Sequence, residues 1–206
     1  MQIMVVQPRM DTPKFHQTEV WARLVLCDED CARVSDFLVS ALRVKRSSVV
    51  RRMHITVYHA RRPMPSLLPI SEAICLVVPA TDTRFMVLAP GGENPRPELD
   101  PSKLKVGIRI HRKSAARATI LEFRRRLFQH ETRQVLGTRA PSTDLRSAFG
   151  ARSFQPHMAL LRAGSGIERN LTPLGAAFRS ALSELTFDRF EVDIVRRNAG
   201  RHARIY

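Results

Sequence analysis

The 206-residue chain has little cysteine, little acid and no long apolar run. Its three cysteines, Cys27, Cys31 and Cys75, are odd in number and lie on or beside apolar runs. That excludes a disulfide framework and predicts reduced thiols, in or near the core of a cytoplasmic protein. Cys27 and Cys31 have a C-x₃-C spacing, but no second cysteine pair completes a zinc site. No stretch approaches the roughly 20 apolar residues of a membrane span, so no membrane is expected as partner. Residues 1–17 are apolar only over positions 3–6 and do not read as a secretory signal. Only 19 Asp and Glu stand against 34 Lys and Arg, a net charge of +15. Most of the cations are arginine, whose planar fork fits phosphate bidentately. The balance predicts a polyanionic partner, RNA or a nucleotide first. The plainer explanation is a solvated, arginine-rich surface.

What the chain does have is alternating order. Residues 1–18 read as an N-terminal arm. Residues 19–26 alternate as a strand. Asp28 then reads as a helix N-cap, with Glu29 and Asp30 in the first turn, and the apolar spacing predicts a helix over 30–44. A strand follows at 52–59, then short strands at 74–78 and 84–88. A Pro- and Gly-rich excursion over 89–102 reads as the seam between two halves. Strand and helix recur at 104–111 and 114–130, with Arg124, Arg125 and Arg126 expected on a solvated helix face. Residues 131–152 read as loop, and 154–162 as a further strand. Thr172-Pro173 is expected to open a third helix, and a strand through Phe190, Val192 and Ile194 to close the chain.

Strand, helix, strand therefore occurs twice. Each second strand carries a histidine: Met53-His54-Ile55-Thr56-Val57-Tyr58 and Pro156-His157-Met158-Ala159-Leu160-Leu161. Strand alternation predicts that His54, Thr56 and Tyr58 share one face while Ile55 and Val57 enter the core. It also predicts that His54 and His59, five apart, face opposite sides. The expected fold is α+β and bilobal: duplicated strand-helix-strand units, two antiparallel-rich sheets flanking a central cleft, helices outside. The domain is expected to span 19–206, with lobes near 19–88 and 103–206 that can exchange segments.

These residues resemble the 2H phosphoesterase superfamily, which includes 2'-5' RNA ligase-like enzymes and cyclic nucleotide phosphodiesterases. Its signature is a pair of H-x-T/S-x motifs, each followed by an apolar residue. His54-Ile55-Thr56-Val57 matches the first. Residues 154–162 are similar to the family's F-x-P-H-x-T-L-x-R stretch everywhere except at Ala159, which stands where a hydroxyl is expected. The resemblance covers about residues 19–206, including a closing strand and a final Tyr206.

The resemblance implies metal-independent hydrolysis of RNA or nucleotide phosphodiesters, at a 2',3'-cyclic phosphate or a 2'-5' linkage, by a monomer without cofactor. His54 and His157 would be the acid–base pair, in either assignment, and Thr56 would hold a phosphate oxygen. Tyr58, Arg61, Arg62 and Arg162 are the candidate substrate contacts around Ala159. In place of the hydroxyl that Ala159 does not supply, the phosphate would be held by Tyr58, by Arg162 or by one of Ser142, Thr143 and Ser153. Two alternatives share the scaffold: a catalytically weakened RNA- or nucleotide-binding protein, and a phosphodiesterase of cyclic oligonucleotide messengers.

Overall fold

A computed structural model describes residues 17–60, 70–88, 104–135, 154–162 and 171–197. The elements run β1 (Gln17–Leu26), α1 (Asp28–Leu42), β2 (His54–Ala60), β3 (Ile70–Pro79), β4 (Thr83–Leu88), β5 (Lys105–Ile110), α2 (Ala115–Val135), β6 (His157–Leu161), α3 (Leu171–Ala181) and β7 (Glu184–Arg197). The fold is α+β. Every strand pair is antiparallel, and all seven strands lie in one sheet, ordered β3-β7-β1-β2-β6-β5-β4.

One sheet replaces the two that were expected. The histidine strands β2 and β6 would be open edges at the floor of a two-sheet cleft. They meet instead at one registered pair, Ile55 opposite Met158, and so pair edges that would otherwise be exposed. Strands of the two sequence halves also interleave. Late strand β7 lies between β3 and β1, and early strand β4 pairs with β5.

Apolar alternation decides which face is covered. Ala22, Leu24 and Leu26 of β1, Val106, Ile108 and Ile110 of β5, and Leu185, Phe187, Phe190 and Val192 of β7 are buried in one cluster. Val34 and Leu38 of α1, Ile120 and Leu127 of α2, and Leu174 and Phe178 of α3 join it. Phe178 meets Phe37 and Phe85 edge-on, at 5.4 and 5.2 Å between ring centroids. Each fully buried side chain of this size contributes about 1.5–3 kcal/mol. Among the described residues no helix covers the opposite face.

Several sequence expectations move. The N-cap of α1 is Cys27, not Asp28, and it makes no side-chain capping bond. Asp30 has the structural role: its carboxylate accepts from the Thr186 backbone N–H and from Arg33, tying α1 to β7. Helix α2 continues through 131–135, which read as loop. Pro173 lies in the first turn of α3 as expected, but Thr172 is inside the helix rather than at its N-cap. Cys75 is exposed, not near the core, whereas Cys27 and Cys31 are half-buried. The N-terminal arm up to residue 16, Arg61, Arg62, Ser142, Thr143, Ser153 and Tyr206 lie outside the described residues.

Candidate active site

The site lies on the uncovered face, where the two histidine strands adjoin. Ile55 opposite Met158 is the one pair registered between these strands, and each histidine stands one position before its member of that pair. Carried one residue further in that register, the two histidines would be diagonal neighbours, about 7–8 Å apart. His54, Thr56, His157 and Ala159 are all half-buried.

Each imidazole is held in the same way. His54 Nδ1 lies 3.0 Å from the Arg52 carbonyl oxygen. His157 Nδ1 lies 3.0 Å from the Gln155 carbonyl oxygen. A carbonyl can only accept, so each Nδ1 carries the proton and donates it. Nε2 is left as the nitrogen available to a ligand.

The strands around the histidines repeat one ladder. In the first half Leu24 pairs with Ile55, Arg23 with Thr56 and Ala22 with Tyr58. In the second, Ile108 pairs with Met158, Gly107 with Ala159 and Val106 with Leu161. One residue bulges out of each ladder, Val57 in β2 and Leu160 in β6, and each lies three positions after its histidine. The bond that closes each ladder also matches: Leu26 N–H donates to the Met53 carbonyl, and Ile110 N–H to the Pro156 carbonyl, both at 3.0 Å.

The Val57 bulge overturns two expectations. An extra residue shifts the alternation after it by one. Tyr58, expected beside His54 and Thr56, turns into the core and is 2% exposed, so it does not line the open face. His59, expected on the far side, returns to the site face and stacks on Trp21, with centroids 3.6 Å apart. Arg162, one residue past β6, is exposed. The bulge also explains Arg124, which is not solvated as expected. It is half-buried, donates to the Val57 carbonyl at 2.5 Å and lies over the Phe154 ring at 4.1 Å.

Charge around the two histidines is unequal. Beside His54, Arg52 is bonded to both carboxylate oxygens of the buried Glu191, and Arg23 pairs with Asp193 at 2.8 Å. Burial, with Arg23 and Arg52 nearby, lowers the His54 pKa; the Arg52 carbonyl bond and Glu191 oppose this only in part. Beside His157 stands Arg109 of β5, with Arg84 of β4 opposite Arg109 in turn.

Arg23 and Arg109 escaped the sequence reading. Their signal was present: each is a polar residue on the outer face of an alternating strand. What was missing was the pairing that sets those strands beside the histidines. Among the described residues no group of three His, Cys, Asp or Glu side chains is placed to hold a metal ion, and no helix is long and apolar enough to cross a membrane. No family model, no curated protein and no solved structure matches the chain.

Proposed function

We propose that the protein is a 2H-type phosphoesterase that opens a 2',3'-cyclic phosphate, or cleaves a 2'-5' linkage, at an RNA or nucleotide end. The observation that carries this is the matched pair of imidazoles on one open face. Both are bound through Nδ1 to the carbonyl two residues earlier, and both leave Nε2 for a ligand. A phosphate between diagonal neighbours about 7–8 Å apart is within reach of both rings.

The two rings take different roles. His54 sits among features that favour its neutral form, so it is the base. Its Nε2 takes a proton from the attacking water as the water oxygen bonds to phosphorus. The bond from phosphorus to the ribose 3' oxygen breaks, and His157, acting as the acid, gives a proton from Nε2 to that oxygen. The product keeps a 2'-phosphate. Thr56 donates its hydroxyl to a non-bridging oxygen as charge builds there. The repeated ladder supports a pseudosymmetric origin for the two halves.

The test is hydrolysis of 2',3'-cyclic nucleotides and 2'-5'-linked dinucleotides with a chelator present. Turnover is expected, and His54→Ala or His157→Ala lowers it by at least about 10²–10⁴. Undiminished turnover in both variants sinks the reading. Ala159 favours a second reading, since no hydroxyl stands at the motif position in the second half. In that case RNA binds to the same face without turnover on any of these substrates.

A further inference from the structure

The charge beside His157 continues away from the histidines. Arg109 is directly opposite His157, and Arg84 is directly opposite Arg109. Directly opposed residues of an antiparallel ladder share a face, so the three form one row across β6, β5 and β4. Strand spacing puts the Arg84 backbone about 10 Å from that of His157. Like charges set directly opposite each other cost stability. Among the described residues no carboxylate pairs with either arginine, although the arginines around His54 are paired with Asp193 and Glu191.

Arg84 and Arg109 also line a cleft of about 670 Å³ at the β4 edge, together with His111 and Thr81, with Thr172 and Arg179 of α3, and with the apolar Phe85, Met86 and Leu171. A second hollow, lined by Arg112 and Lys113, shares Arg84 and Arg109 with it. Guanidinium forks and hydroxyls without an acid among them are the donor set of a phosphate site.

We propose that this cleft is a second phosphate subsite. It holds a backbone phosphate of the nucleotide next to the one that reacts, and it makes the substrate a single-stranded oligoribonucleotide end rather than a free mononucleotide. The subsite rests on the two-histidine reading for its place in catalysis, but not for its ability to bind.

The experiment compares kcat/KM for a 2',3'-cyclic mononucleotide with kcat/KM for a short oligoribonucleotide ending in the same cyclic phosphate. The wild-type protein is expected to prefer the oligonucleotide by about tenfold or more, the worth of one charge-assisted hydrogen bond. Arg84→Ala, an exposed position on an edge strand, collapses that preference. Arg125→Ala, which removes the same charge from α2, does not. In parallel, binding of a fluorescent oligoribonucleotide with a 2'-phosphate end is titrated against salt. The slope of log Kd on log salt is expected to fall by about 0.7 in Arg84→Ala, one phosphate contact on a single strand. If the mononucleotide is hydrolysed but Arg84→Ala matches Arg125→Ala in both measurements, the subsite is overturned and the two-histidine reading survives. If neither substrate turns over and the slope still falls, the catalytic reading is overturned and the binding site stands.

Discussion

Strands β1 and β2 on one side of the sheet, and β5 and β6 on the other, share a ladder and differ in chemistry. The registers, the bulges and the imidazole clamps correspond position by position. Thr56 of the first half corresponds to Ala159 of the second, Arg23 to Gly107 and Val25 to Arg109. The first half keeps its hydroxyl and pairs its arginines with acids. The second has no hydroxyl at the motif and leaves its arginines without acids among the described residues. Backbone geometry can be repeated while side-chain chemistry diverges, because the ladder uses only main-chain groups. On the proposed reading, the first half would supply the base and the second an additional set of arginines for an anion.

The hydroxyl contrast gives the largest expected effect. Thr56→Ala lowers kcat on a cyclic phosphate by about 10²–10³, roughly 3–4 kcal/mol. Ala159→Ser moves kcat the other way, by up to about the same factor. Steady-state kinetics on both variants measures how unequal the halves are. A negligible drop in Thr56→Ala removes the first half's claim to hold phosphate.

Next is the contrast between Arg23 and Gly107. A Cβ at Gly107 would lie 2.3 Å from the Met158 carbonyl oxygen and 2.5 Å from Leu88 Cδ1. The carbonyl belongs to the neighbouring strand and cannot swing away as a side chain can. Gly107→Ala is expected to destabilise by about 1–3 kcal/mol, read as a lower urea midpoint. No change would mean that the second ladder tolerates a side chain where the first carries one.

The bulges invite a third comparison. The Val57 carbonyl is bonded by Arg124. Arg124→Met keeps an apolar stem and deletes both the donor and the guanidinium over Phe154. It is expected to cost about 1–3 kcal/mol, the penalty for a buried acceptor left unsatisfied. Thermal unfolding of this variant beside Arg125→Ala separates the bonded arginine from its exposed neighbour.

The smallest effect is in pH. His54 has a lowered pKa in the folded protein, so the unfolded chain binds its proton more readily. Above about pH 6.5 both states hold the ring neutral and stability is unaffected. Stability falls as pH drops from there through the lowered folded value, and is flat below it. His54→Gln should lose less stability over that window, as measured by urea midpoints at several pH values. An equal fall would place the acid sensitivity elsewhere in the molecule.

Local pattern made much of this legible. Alternation located β1, β2, β5 and β6 within a few residues, helical spacing located α1 and α2, and the two histidines stood out by their matching contexts. The reading failed at Tyr58 and His59 because alternation counts residues and has no signal for an inserted one. It failed at Arg124 because the partner, a carbonyl released by a bulge in a distant strand, does not exist until the sheet forms.

Chain order alone determined the strand-helix-strand repeat, the apolar stripes and the types of residue beside each histidine, because these depend on neighbours a few positions away. Only the tertiary structure decided that β2 and β6 adjoin, that one sheet replaces two, that Tyr58 is buried, and that Arg109 and Arg84 extend the row from His157. Those outcomes depend on hydrogen bonds between strands far apart in sequence, such as β2 with β6 and β1 with β7, and no local preference encodes which edge meets which.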